Sequence, residues 1–279
     1  MDKLEYKDLL NAGVHFGHLT RKWNPKIAPY VFMERNGIHI IDLNKTLVEL
    51  DNAADAVKNI VRSGRKIMFV ATKKQAQEVV SEEAKRLRMP YVTDRWLGGM
   101  LTNFATIRKS LRKLSSIDKM MKEEEYKNLA KRERLMMSRE KEKLEKVLGG
   151  IADLTRLPSA LFVVDIKREH IAIKEAMKLN IPVIGMVDTN SDPTSIQFPI
   201  PGNDDAFKSI SLIVKYIGQA AEEGLIERRE QKEEAKLKEE EESKKQADEK
   251  EALDAKAAAD AKEKSAAKAE AEKESAPES

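Results

Sequence analysis

Apolar residues run through this chain in two alternating patterns. Short continuous runs, Ile38–Ile41, Lys66–Ala71, Ala160–Val164 and Ile181–Val187, alternate with stretches where apolar positions recur every three or four residues. A continuous apolar run of this length predicts a strand buried on both faces, as in a parallel sheet. The periodic stretches predict helices: Leu4–Ala12, then Leu47 through Val61 with Asn44 or Thr46 as cap, then Gln75–Arg88 and Ile171–Leu179. A last helix runs through Ile210, Ile213, Val214 and Ile217, with Asp204 or Asp205 as its cap. Four strands, each followed by a helix, predict a doubly wound, flavodoxin- or Rossmann-like α/β body with a parallel sheet. Tyr91-Val92 adds a short strand, and residues 191–206 read as turns. Thr72–Lys74, Asp165–Arg168 and Asp188–Asn190 then fall at strand carboxyl ends, where such sheets place ligands.

Two segments depart from the alternation. Met100 to Leu148 contains neither glycine nor proline and is rich in Lys, Arg, Glu, Leu and Met, all good helix formers. Apolar positions at Ile107, Leu111, Leu114, Ile117 and Met121 resume at Leu129, Met136, Met137, Leu144, Val147 and Leu148 after the polar stretch KEEEYKN at 122–128. This predicts an antiparallel coiled-coil hairpin over 105–148, inserted into a body made of 1–104 and 149–226; one long helix is the alternative. Met120, Met121, Met136 and Met137 would fill the hairpin seam or form an adaptable surface for a helical partner. From Glu227 to Ser279 only Leu237 and Leu253 are large and apolar, so this stretch reads as a disordered acidic tail.

Charge sharpens the picture. Residues 1–226 carry 38 basic and 30 acidic side chains, and residues 227–279 carry 13 and 18. A basic body next to an acidic tail predicts a polyanionic partner for the body. From Arg108 to Lys146 there are 14 basic and 8 acidic residues, so the hairpin shares the bias. Cations and planar groups are most mixed in His15–Asp42, where Gly17, Pro25, Pro29 and Gly37 exclude a helix. Arg21, Lys22, Lys26 and Arg35 supply charge, Trp23 and Tyr30 can stack, and Asn24 and Asn36 can read a base edge. The plainer alternative is an irregular arm that packs Trp23 and Tyr30 on the core. The second irregular stretch, 93–104, combines Arg95 and Trp96 with Gly98-Gly99 and Asn103.

The sequence encodes no nucleotide or hydrolase motif: G-x-G-x-x-G, G-x-x-x-x-G-K-[ST], H-E-x-x-H and G-x-S-x-G are all absent. A nucleotide or sugar-phosphate enzyme acting at the strand ends is therefore the alternative function rather than the first. His15 and His18 with Asp188, Asp204 and Asp205 could hold a divalent ion, but their spacing is not diagnostic, and capping or local hydrogen bonding explains them as well. No cofactor and no metal are expected. The chain has no cysteine, no secretory signal pattern and no run near the ~20 apolar residues that span a bilayer, which predicts a cytoplasmic protein without a membrane partner.

Five motifs are more specific. GVHFGHLTRKWNPK at 13–26, ERNGIHIIDL at 34–43, RWLGGMLTNF at 95–104, VVDIKREHIAIKEA at 163–176 and IPVIGMVDTNSDPTSIQFPIPGNDDA at 181–206 resemble, in order, the signatures of the bacterial small-subunit ribosomal protein family number two. The resemblance covers residues 4–220. It implies an α/β domain with an inserted coiled-coil hairpin, no catalytic activity and no homo-oligomer. It also implies binding to small-subunit ribosomal RNA between head and body, on the ribosome, beside neighbouring proteins that include the messenger-capturing one. Arg21, Lys22, Lys26, Arg35, Lys73, Lys74, Arg95, Arg108 and Lys109 become candidate phosphate contacts. Trp23, Tyr30 and Trp96 become candidate stacking platforms, with Trp96 open to a core role instead, and Asn24, Asn36 and Asn103 candidate polar contacts. The chain departs from the family in running on to Ser279 and in reading DIKRE where a proline commonly follows the aspartate.

Overall fold

The computed structural model describes residues 3–123, 126 and 129–235. Five parallel strands form the central sheet: β4 (Ile67–Val70), β5 (Tyr91–Val92), β6 (Ala160–Val164), β7 (Val183–Val187) and β8 (Phe198–Pro201), in the order β5-β4-β6-β7-β8. This is the doubly wound sheet that the apolar runs predict. Alternate residues of each strand feed opposite cores. Ile67, Phe69 and Phe162 pack with Leu50 and Val57 of α2 (Leu43–Arg62), Val80 of α3 (Lys74–Arg86) and Ile213 and Ile217 of the last helix, α7, which starts at 207. Met68, Val70, Leu161 and Val163 pack on the other side with Trp96, Ile107, Leu148 and Ile173. At about 25 cal/mol per Å² of apolar area, two such cores supply the main force holding the sheet.

Three expectations are corrected. Ile38–Ile41 is not part of the parallel sheet. It is β3, the middle strand of a separate antiparallel sheet with β1 (Phe16–Leu19) and β2 (Val31–Arg35). Asn36 and Gly37, at φ +53° and +72°, make the tight turn from β2 to β3, and an Asn-Gly pair between two strands is the sequence signal for it. The turn-rich stretch at 191–206 contains β8, whose Pro199 and Pro201 are tolerated because it is an edge strand. The caps also differ. Asp42 caps α2, accepting from Asn44 N at 3.0 Å, while Thr46 donates to Pro201 O at 2.8 Å. Asn203 caps the approach to α7, accepting from Asp205 N at 2.9 Å and Ala206 N at 3.2 Å. Asp204 and Asp205 are thereby left for another role.

Two helices, α4 (Phe104–Met120) and α5 (Lys131–Leu148), pair where the hairpin is expected. Ile107, Leu114 and Ile117 lie in the seam, and Lys113–Glu140 and Lys141–Asp118 bridge it. Most of the break at 122–128 lies outside the described residues, as does the expected tail from 236 onward. The chain divides into compact units at Arg228–Arg229. Glu227 belongs to the first of them, 2.8 Å from Lys58 Nζ and 3.6 Å from Arg62. No described helix is long and apolar enough to cross a membrane.

Before β6 the chain passes under β5, and Gly150 makes that crossing possible. A Cβ on Gly150 would lie 2.2 Å from the Tyr91 carbonyl oxygen, a backbone atom that cannot swing aside. Gly150→Ala is expected to cost about 1–3 kcal/mol, as other overpacked sites do. Scanning calorimetry should show a melting temperature lower by about 2–4 °C per kcal/mol; an unchanged transition would refute the close approach.

Candidate nucleic-acid interface

The arm at 16–30 is seated on the carboxyl end of β7. Asn24 N donates to Thr189 O at 2.8 Å, and His18 N donates to Thr189 Oγ1 at 2.7 Å. Lys26 Nζ pairs with Asp192 Oδ2 at 2.6 Å. Gly17 allows the approach, since a Cβ there would lie 2.5 Å from Thr189 Cγ2 and 2.9 Å from the His39 carbonyl. Asn24 Oδ1 accepts from Lys26 N at 3.0 Å and starts a short 3-10 turn, Pro25–Tyr30. Its polar atoms therefore serve the arm first.

Beneath the arm, three strand ends converge on one ammonium. Lys73 Nζ lies 2.7 Å from Asp204 Oδ1, 2.6 Å from Asp205 Oδ1 and 3.5 Å from Asp165 Oδ2. His18 joins from the arm, with Nδ1 3.1 Å from Asp188 Oδ2 and Nε2 3.4 Å from Asp205 Oδ2. Burial alone would lower the Lys73 amine, but Asp204, Asp205 and Asp165 outweigh it and hold the amine above the usual lysine range. Burial, with Asp188 and Asp165 close by, pushes the Asp204 carboxyl up to about 7 despite Lys73. The hydrogen bond to Asp188 raises the His18 imidazole against a smaller effect of burial. The sites considered for a metal are thus organised around Lys73, and His15 does not join them: its ring tilts on Phe16 at 4.0 Å. Among the described residues no group of three or more His, Cys, Asp or Glu side chains has a metal-holding arrangement.

A second buried carboxylate shapes the loop after β5. Glu175, on α6 (His170–Lys178), accepts from Trp96 Nε1 at 3.2 Å and from the backbone N–H groups of Gly99 (2.7 Å), Leu101 (2.9 Å) and Thr102 (3.1 Å). The Thr102 hydroxyl adds a fifth bond at 3.2 Å. Burial alone would raise this carboxyl, but the donors of Thr102, Leu101 and Gly99 prevail and hold it below the usual range. The loop is folded around a single side chain 73 or more residues away in sequence.

These two carboxylate systems sort the candidate residues. Lys73 and Trp96, 8 % and 6 % exposed, are interior. The carboxylates hold the Lys73 charge, and Glu175 with the apolar core holds the Trp96 ring, in the core role that its sequence context left open. Trp23 lies at the surface, its outer half open and its inner face 4.7 Å from the buried His39 ring. Tyr30 is half-buried, with its hydroxyl 3.4 Å from Glu49 Oε1. Arg21, Lys22, Arg35, Lys74, Arg95, Arg108 and Lys109 are exposed, and none forms an ion pair or side-chain hydrogen bond with the described residues. Asn36 stands at the hairpin turn and Asn103 precedes α4, accepting from Thr106 Oγ1 at 2.9 Å. Glu175 and Glu169 escaped the sequence reading, because an isolated glutamate near a helix start carries no distinguishing pattern.

The sequence of residues 9–224 matches the model of the family described as Ribosomal protein S2. The chain belongs to that family. It is 74 % identical over 235 residues to the small ribosomal subunit protein uS2 of Cytophaga hutchinsonii, covering 84 % of this chain and 92 % of that one. The uS2 proteins of Flavobacterium johnsoniae (61 % identical, 83 % and 91 % covered) and Parabacteroides distasonis (58 % identical, 85 % and 85 % covered) are further relatives. The S2 family is one of structural proteins and not of enzymes, which removes the enzyme alternative. Membership also accounts for strand ends that hold a folded charge cluster in place of catalytic groups.

The raised groups of the cluster, His18, Asp204 and Lys73, act in one direction, and the first two do so near neutral pH. A group that holds its proton more tightly when folded contributes stability in full below its unfolded value and loses it as pH rises through the folded value. Moving from about pH 5 to about pH 8 should therefore lower the urea midpoint through His18 and Asp204. Asp204→Asn should flatten that decline; an unaltered decline would assign it elsewhere. Glu175→Ala strands three backbone donors, at about 1–3 kcal/mol for each one left buried and unpaired. A large fall in urea midpoint is expected, and a variant as stable as the parent would show that the loop does not depend on this carboxylate.

Proposed function

We propose that this chain is a structural constituent of the small ribosomal subunit that works in translation by holding ribosomal RNA. The observation that carries this is a group of exposed cations: Arg21, Arg35, Lys74, Arg95, Arg108 and Lys109 form no ion pair with the described residues, and Lys22 stands exposed near Asp205. Exposed cations without a carboxylate beside them are open to an outside polyanion. They stand on the arm, the β2–β3 turn, the strand-end surface and the start of the hairpin, so one RNA surface would be held at several heights. Trp23 adds a stacking face, with Asn24, Asn36 and Asn103 as polar neighbours. Lys26 is a secondary contact, because Asp192 already neutralises it.

On this reading the contact is positional. Phosphate contacts set register and orientation without reading sequence. The family resemblance further supports a place between head and body and a role in seating the messenger-capturing ribosomal protein. Met120 and Met136, 52 % and 62 % exposed on the hairpin, are available to a neighbouring protein.

Sedimentation of a lysate should carry the chain with the small subunit at low salt and release it as salt rises. With purified protein and ribosomal RNA, Arg21→Gln, Lys22→Gln and Arg35→Gln together should reduce the slope of log affinity against log salt by about 2, at roughly 0.7 per contact. Trp23→Ala should lose about 1–3 kcal/mol of binding if its face stacks on a base. An unchanged slope would remove the three cations from the interface, and full binding by the Trp23 variant would return that ring to a packing role.

A further inference from the structure

The strand order β5-β4-β6-β7-β8 reverses direction between β4 and β6. Connections leaving such a point go to opposite faces of the sheet, so a crevice opens beyond the carboxyl ends of the two strands. On its β8 side the crevice is filled by Lys73 and its carboxylates. On the β5 side lies a cavity of about 490 Å³, lined by Thr72, Asp94, Arg95, Trp96, Arg168, Glu169 and Ile171.

Its polar groups are disposed for an anion. Arg95 is exposed and has no ion pair or side-chain hydrogen bond with the described residues. Arg168 Nε donates to Thr72 Oγ1 at 2.8 Å, and its two terminal nitrogens make no hydrogen bond or ion pair with the described residues, although its charge also acts on the nearby Glu169. Arg168 is also aimed. Its Nε bond to Thr72, which Glu169 holds in turn, sets the direction of the guanidinium, and its backbone N–H donates to Asp165 Oδ1 at 3.0 Å. The carboxylates nearby are engaged. Glu169 Oε1 accepts from Thr72 N at 3.0 Å and Thr72 Oγ1 at 2.5 Å, and Asp94 pairs with Lys146 at 3.3 Å. The α6 helix starts at His170 beside the cavity, adding the partial positive charge of its first turn. Ile171, 45 % exposed, offers an apolar shoulder.

We infer that this crevice is a nucleotide phosphate pocket: one phosphate is clamped between the guanidinium groups of Arg95 and Arg168, and the attached nucleoside lies against Ile171. Two planar forks suit a phosphate better than two ammonium groups would. The same chemistry is offered by a nucleotide within an RNA strand or by a free nucleoside monophosphate. The inference rests on the RNA reading only for the first of these sources.

The test uses the full chain, calorimetric titration with GMP and with guanosine, and a single-stranded RNA oligonucleotide. GMP should bind and guanosine should not. Arg95→Gln and Arg168→Gln should each weaken GMP about tenfold or more, with Arg168→Lys recovering only part, as expected when a bidentate charged contact is lost. Both side chains are exposed, so melting temperatures should hold and serve as the folding control. If the double glutamine variant weakens the RNA oligonucleotide as well, the phosphate belongs to a strand; if only GMP binding falls, the occupant is a free nucleotide. No GMP binding, together with RNA binding that the double variant leaves unchanged, overturns the pocket and leaves the RNA reading intact. GMP binding without any RNA binding by the parent protein would sink the RNA reading and keep the pocket.

Discussion

One buried ammonium holds the business end of this molecule together. Lys73 follows β4, Asp165 follows β6, and Asp204 and Asp205 follow β8, so its ion pairs tie three strand ends at one point. The fourth end is joined through Asp188 and His18, which brings the arm down onto the sheet. Buried charges of this kind are costly to desolvate, and breaking such a cluster by removing one partner costs more than the pair contributes. Its value lies in specificity: it fixes where the arm sits. Asp204 Oδ2 is buried without a hydrogen-bond partner, and its raised carboxyl follows from crowding several acids around one amine.

The same logic recurs, at smaller scale, on the other face of the crevice. Glu175 gathers the loop 96–102 by accepting five hydrogen bonds, and Glu169 fixes Thr72 by accepting two. Irregular backbone is normally driven to the surface because its polar groups need water. Here carboxylates replace the water, and loops rich in glycine hold one shape. These bonds hold the backbone that carries Arg95 and Arg168, so binding there has side chains to order but little backbone.

Function on this scaffold is a matter of which charges are left over. Lys26, Lys73, Lys113 and Lys141 are all absorbed by carboxylates of the chain itself. Arg21, Arg35, Lys74, Arg95, Arg108 and Lys109 have no such partner among the described residues, and Lys22 has only Asp205 in its vicinity. A structural member of the S2 family needs no catalytic group, and on the proposed reading it is the unspent cations that meet a partner. The two sets are indistinguishable by composition and differ only in what the fold sets beside each lysine or arginine.

Hydrophobic periodicity determined the sheet, the pairing of α4 with α5 and most helix boundaries, because burying apolar area is a local pattern repeated along each element. The signature motifs determined the family, because long runs of unusual composition carry more information than charge counts. What the sequence could not decide was partnership. Ile38–Ile41 is as apolar as any strand of the main sheet, yet it pairs with β1 and β2, since a strand's neighbours are chosen by turns and topology. Trp96 and Trp23 both stand beside a cation in polar, irregular stretches, yet one is a core residue and the other an exposed face. Asp204 and Asp205 look like helix caps until Asn203 takes that place and Lys73 arrives from 131 residues away. Hydrogen bonds and ion pairs act over about 3 Å between residues that are distant in sequence. Only the tertiary structure sets those distances, and with them which polar groups are spent on the fold and which remain for a partner.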